Sequence, residues 1–181
     1  MLTIAEIAKE IIRLAKEQKA TIGTIESITG GRVVAAMTGV PGASSVVKGA
    51  IVTYTDEIKA KLADVPPDIL EQEGAVSPEC AEAMSKGGSL ALNATYTLSV
   101  TGFAGPAGPA DNHPVGTVYY GLSRLEGSMA VLEAHLAGER AAIQDEATRL
   151  ALLFLLAKLE NRSVFEAFSE EFSYPLREII L

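Results

Sequence analysis

A single cysteine, Cys80, stands among 181 residues, so no intrachain disulfide can form and a reducing, cytoplasmic setting is expected. Histidine is almost as scarce, with only His113 and His135. Neither has a second ligand at metal-like spacing, so both a metal site and a Ser-His-Asp triad are disfavoured. Cations are in deficit: 15 Lys and Arg against 23 Asp and Glu leave a net charge of −8 and an isoelectric point near 4.8. Nucleic-acid binding depends on cations that neutralise phosphates, so no nucleic-acid partner is expected. The longest apolar run, Leu150–Ala157, falls far short of the roughly 20 residues a membrane span needs. The opening Met-Leu-Thr-Ile-Ala-Glu has neither a basic region nor an apolar signal core, which points away from a membrane partner. Neither Gly-x-x-x-x-Gly-Lys-Ser/Thr nor Gly-x-Gly-x-x-Gly occurs, so no nucleotide cofactor is implied. Internal repeats and low-complexity tracts are also absent.

What remains is 48% hydrophobic and patterned like an ordinary globular domain. Thr3-Ile-Ala-Glu6 is a capping box, and Ile4, Ile7, Ile11 and Leu14 recur at helical spacing after it. Ala20–Ile25 reads as a buried strand, and a helix is predicted over Thr29–Thr38. Val46–Tyr54 reads as a strand interrupted at Lys48-Gly49, followed by a short helix over Asp56–Leu62. Ser77-Pro78-Glu79 starts a helix that runs toward Leu92. Thr95–Thr101 is a strand, and Gly102–Pro114 is a glycine- and proline-rich loop. Gly116–Ser123 and Met129–Leu136 form a hairpin around Glu126-Gly127, and a long helix covers Glu139–Glu160. This order predicts an α/β fold: a three-layer α/β/α domain with a mixed sheet over residues 1–160. Residues 161–181 form a tail expected to be helical, capped by Ser163 with Glu166 and carrying Phe165, Phe168 and Phe172 on one face. That face packs either on its own domain or on a neighbouring subunit.

The chemistry concentrates where the first strand meets its helix, at Thr24-Ile-Glu-Ser-Ile-Thr-Gly-Gly-Arg32. Two readings stand there. Either the first amides of the helix and the Thr29-Gly30-Gly31 turn bind an anion, or Thr29 is a plain cap and the glycines ease a turn. With imidazole scarce, a hydroxyl nucleophile needs another base, and a desolvated lysine can serve. Ser44 and Lys59 flank a strand, with Tyr54 between them to relay or orient a proton. Spacing alone equally allows a turn-capping Ser44, a solvated Lys59 and a Tyr54 at the core edge.

Six blocks then resemble one family. Glu-Ser-x-Thr-Gly-Gly (26–31), Pro-Gly-Ala-Ser (41–44), Val-x-Tyr-x-x-Glu-x-Lys, Gly-Ala-Val-Ser (74–77), Thr-Gly-x-Ala-Gly-Pro (101–106) and Pro-Val-Gly-Thr-Val (114–118) follow in order. The third block spans Val52–Lys59, with Tyr54 and Glu57 at its tyrosine and glutamate positions. Together they resemble the C-terminal domain of the competence/damage-inducible protein CinA, over roughly residues 3 to 157. That family includes stand-alone nicotinamide mononucleotide deamidases. The resemblance implies hydrolysis of the carboxamide of nicotinamide mononucleotide to nicotinic acid mononucleotide and ammonia, with neither metal nor organic cofactor. It assigns Ser44 as nucleophile, Tyr54 and Lys59 as its activating partners, and Ser27 and Thr101-Gly102 to substrate binding. Arg140, with the Thr29-Gly30-Gly31 turn, would hold the substrate phosphate. A homo-oligomer, most simply a dimer, is expected. Three departures stand out: Ile28 replaces a usual cysteine, Ala107 a usual aspartate, and Gln144 a common second arginine. The last two favour an alternative in which the chain keeps a nucleotide pocket as a binding or regulatory protein without turnover.

Overall fold

A computed structural model describes residues 1–107 and 113–181. Helix α1 (Ile4–Glu17) starts at the expected capping box, with the Thr3 and Glu6 side chains each accepting the other's backbone amide. It buries Ile7, Ala8, Ile11, Ile12 and Ala15 along one stripe, as the sequence spacing predicts. Strand β1 (Ile22–Glu26) is buried along its whole length, because it lies between two parallel neighbours, β2 (Val47–Val52) and β3 (Tyr96–Gly102). The hairpin is present as β4 (Thr117–Arg124) and β5 (Met129–His135), with Glu126 at φ 57° in its turn. The open sheet runs β2-β1-β3-β4-β5-β6, parallel at one end and antiparallel from β3 onward.

Helices cover both faces, giving the expected three layers. One face carries α1, α2 (Arg32–Thr38) and α6 (Arg140–Leu159) over the main core of Ile22, Leu98, Val100, Tyr120, Leu132 and Phe154. The other carries α3 (Asp56–Ala63), α4 (Pro67–Gln72) and α5 (Pro78–Leu92) over Ile25, Cys80 and Met84. The chain leaves β1 toward α2 on one face and leaves β2 toward α3 on the other. The two connections part at the carboxyl ends of adjacent parallel strands, which opens the kind of crevice where α/β sheets bind ligands.

The tail departs from expectation. Its helix, α7, spans only Val164–Phe168, with the Ser163/Glu166 capping box in place. Phe172 lies beyond it, and the chain then extends as β6 (Leu176–Ile179), antiparallel to β5. Phe165, Phe168, Phe172 and Tyr174 pack on the main core of the same chain, so apolar burial rather than a single helical face sets the path. Buried Arg149 anchors the segment through Glu171 at 2.8 Å. No helix among the described residues is long and apolar enough to cross a membrane.

Candidate functional site

Three strand ends build the site. Ser27 follows β1 directly, and its amide donates to the carbonyl of Val100 on β3. Thr53 follows β2 and donates its amide to the carbonyl of Glu26. Helix α3, begun by the Thr55 cap, carries Lys59 on its inner face. Lys59 is only 2% exposed. Its Nζ donates to the Thr53 carbonyl at 2.9 Å and lies 3.2 Å from the Ser27 Oγ. Burial pushes the amine below the ordinary lysine range, against the opposing pull of the Asp56 carboxylate. Cys80 is buried, and desolvation holds its thiol up at about 12, so it is a neutral packing group. A desolvated amine at hydrogen-bond reach of a serine hydroxyl has the geometry of a base beside its nucleophile.

The structure does not bring Ser44 to this amine. Ser44 lies exposed in a single 3-10 turn (Ala43–Ser45) that precedes β2, and Lys59 lies beyond the far end of that strand. Six extended residues at about 3.3 Å each separate the two ends. The expected contact between Ser44 and Lys59 is therefore not made within one chain. The physical reason is that a strand carries the chain in one direction, so residues flanking it occupy opposite edges of the sheet. Tyr54 does belong to the Lys59 edge. It is 60% exposed, and its hydroxyl accepts from the Arg140 guanidinium at 3.0 Å. Arg140 also donates to the Gly105 carbonyl at 2.7 Å, so it ties the β2 end to the loop after β3.

The Thr29-Gly30-Gly31 turn is corrected in a different way. Helix α2 begins only at Arg32, after Gly30 and Gly31 at φ 58° and 97°, so Thr29 is not its cap. The carboxylate of Glu26 takes that place. It is fully buried and accepts from the Gly31, Val33 and Val34 amides at 2.9, 3.1 and 2.9 Å. The hydroxyls of Thr24 and Thr29 donate to it as well, at 3.0 and 2.7 Å. The amides of Gly30 and Arg32 are spent on the Ser27 and Thr29 carbonyls. The amides of this turn therefore already have acceptors inside the chain, and the expected phosphate cradle is filled by a side chain. Glu26 is the residue of this turn whose role sequence reasoning missed. Its signal was a carboxylate inside an otherwise apolar buried strand, which demands partners.

Thr101 and Gly102 also serve the fold first. The Thr101 hydroxyl donates to the Ala75 carbonyl at 2.6 Å. A Cβ at Gly102 would stand 2.7 Å from the Thr117 carbonyl oxygen, so only glycine lets β3 and β4 close there. Ile28 is buried in the main core, which accounts for an apolar residue in place of a cysteine. Gln144 bridges two parts of the site: its amide donates to the Ile28 carbonyl at 3.0 Å and accepts from Arg32 at 3.1 Å. Ala107 closes the first described stretch, and residues 108–112 of the loop lie outside the described residues.

Comparison with known proteins places this arrangement. The family model described as the CinA C-terminal domain matches residues 4–159. A putative competence-damage inducible protein of Alkaliphilus metalliredigens is 42% identical over 159 residues, covering 87% of this chain and 38% of the relative. One from Geobacillus sp. is 39% identical over 151 residues, covering 83% of this chain and 36% of the relative. The chain thus spans a little over a third of the length of these curated relatives. Among solved structures, the competence/damage inducible protein CihA of Agrobacterium tumefaciens superposes with a TM-score of 0.83 at 33% identity, covering 88% of this chain and 99% of that one. A CinA superfamily protein of Klebsiella pneumoniae reaches 0.85 at 28% identity, with 88% and 99% covered.

Proposed function

The chain belongs to the CinA C-terminal domain family, and on that premise we propose that it is an amidohydrolase acting on the carboxamide of nicotinamide mononucleotide. The observation that carries the reading is the buried Lys59 amine 3.2 Å from the Ser27 hydroxyl at the carboxyl edge of a parallel sheet. In this reading Ser27, rather than Ser44, is the nucleophile. Neutral Lys59 takes the hydroxyl proton as the Ser27 Oγ bonds to the carboxamide carbon. The tetrahedral adduct then expels nitrogen, which leaves as ammonia with the proton that Lys59 returns. Water adds to the acyl-serine with Lys59 again as base, releasing the carboxylic acid and restoring the hydroxyl. The Thr53 carbonyl fixes the amine through one N–H and so aims its lone pair. Tyr54 and Arg140 line the same edge, where Arg140 is placed to meet the substrate phosphate.

Ammonia release from nicotinamide mononucleotide tests this directly. Ser27→Ala should lower kcat by about 10³-fold or more, because nucleophile and base act as a unit. Ser44→Ala should leave kcat within a few-fold of the parent. Near-normal turnover by Ser27→Ala would refute Ser27 as nucleophile. A loss with Ser44→Ala as deep as with Ser27→Ala would place Ser44 in the site of a second copy, since within one chain it lies at the other end of the sheet.

A further inference from the structure

We propose that Arg32 is a second phosphate-binding residue of this site, paired with Arg140 and aimed by Gln144. The proposal rests on the mononucleotide reading above and deepens it. A phosphomonoester carries up to two negative charges, and this chain carries a net −8, so the anion needs local cations. The first turn of α2 offers no vacant amides, because Glu26 and the backbone take them. Lys59 is buried against Ser27 and Thr53. That leaves the guanidiniums at the rim.

Most arginines of the described residues are matched with acids. Arg13 lies against Glu10 and Glu17, Arg149 against Glu146 and Glu171, Arg162 against Glu160, and Arg177 against Glu133. Arg32 and Arg140 are treated differently. Arg140 is held by two neutral oxygens, the Gly105 carbonyl and the Tyr54 hydroxyl. Arg32 donates to the Thr29 carbonyl at 2.9 Å and to the Gln144 side-chain oxygen at 3.1 Å. Its one acidic neighbour, Asp145, stands 3.8 Å away and is 71% exposed, a weak pairing in water. A guanidinium has five N–H donors, so two such bonds fix its plane and leave others for a ligand, and the side chain is 44% exposed.

Both cations are tied to the start of α6. Positions 140 and 144 are one turn apart on α6, with Cβ atoms about 5–6 Å apart. Gln144 holds Arg32 across the interface with α2, so Arg32 is tied to α6 one turn after Arg140. Gln144 also grips the Ile28 carbonyl, the residue next to Ser27, and Arg32 grips the Thr29 carbonyl. The same pair is therefore tied to the turn that follows Ser27.

The test is Arg32→Gln, assayed on nicotinamide mononucleotide and on nicotinamide riboside, which has the same carboxamide and no phosphate. KM for the mononucleotide should rise about 10-fold or more, with kcat within about two-fold. The riboside constants and the melting temperature should hold. Equal losses on both substrates would show that Arg32 only braces the Ser27 turn and would overturn the proposal, as would an unchanged KM. Calorimetry with nicotinamide mononucleotide and with ribose 5-phosphate separates this proposal from the amidase reading. If the parent protein binds both without releasing ammonia, and Arg32→Gln weakens both by about 10-fold, only the amidase reading falls. If the parent protein binds neither ligand, the phosphate site falls.

Discussion

Glu26→Gln tests whether one buried carboxylate organises the candidate site. The carboxylate receives five donors, split between its oxygens: Thr24 and Val34 on one, Thr29, Gly31 and Val33 on the other. Glutamine has the same shape but can accept on one side only. Its best orientation keeps the three-donor side and turns the NH2 group toward Thr24 and Val34. The Thr24 hydroxyl can rotate to accept from that group. The Val34 amide cannot, and it is left part-buried against a donor. One orphaned donor costs about 1–3 kcal/mol, and hydrogen bonds to a charged acceptor are worth about 0.5–1.5 kcal/mol more than neutral ones. The expected loss is about 2–4 kcal/mol, allowing for relaxation of the turn. For a chain of this length each kcal/mol shifts Tm by about 2–4 °C, so Tm should fall by about 5–15 °C. Urea unfolding followed by far-UV circular dichroism measures the loss, and the slope m should stay constant. A loss below about 1 kcal/mol would show that the carboxylate does not hold the start of α2, and the reasoning would fail.

Two further outcomes follow from the same geometry. The rate of ammonia release should climb with pH through a Lys59 titration whose midpoint lies below the ordinary lysine value of 10.5, because burial depresses it and only the neutral amine accepts the Ser27 proton; a rate that falls over that range would rule Lys59 out as base. Truncation after Glu160 should lower Tm by well over 5 °C, since it removes the cover from β5, uncovers core surface beneath Phe165 and Phe168, and strips Glu171 from buried Arg149; an unchanged Tm, with any change confined to subunit mass in light scattering, would show that the tail serves assembly instead.

Much of this architecture was legible in the chain because local signals and burial agree. The Thr3/Glu6 box, the Ser77-Pro78 start of α5 and the Glu126-Gly127 turn each name a specific backbone geometry, and each is present. The tail was misjudged because three phenylalanines at helical spacing satisfy an apolar periodicity that a short helix, a 3-10 turn and an edge strand satisfy equally well. At the site, the residue types were readable and their pairing was not. Ser44 lies close in sequence to Tyr54 and Lys59, but the parallel strand β2 runs between it and those two and converts sequence proximity into separation. Ser27, 32 residues from Lys59, is its actual neighbour, through the pairing of β1 with β2. Only the register of two parallel strands carries that information, and no local pattern encodes it.

The two buried ionisable groups at this edge are treated oppositely, and the contrast explains how the site holds its chemistry. Glu26 is surrounded by donors, so its burial is compensated and the turn carrying Ser27 is held rigid. Among the described residues, Lys59 receives only the Thr53 carbonyl and the Ser27 hydroxyl, with Asp56 contributing at a distance. Its charged form is therefore poorly solvated, and its folded pKa is lowered. Between that lowered value and 10.5 the unfolded chain binds more protons than the folded one, so stability rises with pH through that window. At neutral pH the fold carries the cost of an under-solvated amine. In the proposed mechanism that same deficit makes the amine a base toward a hydroxyl 3.2 Å away, and the donors packed around Glu26 hold the residue next to that hydroxyl.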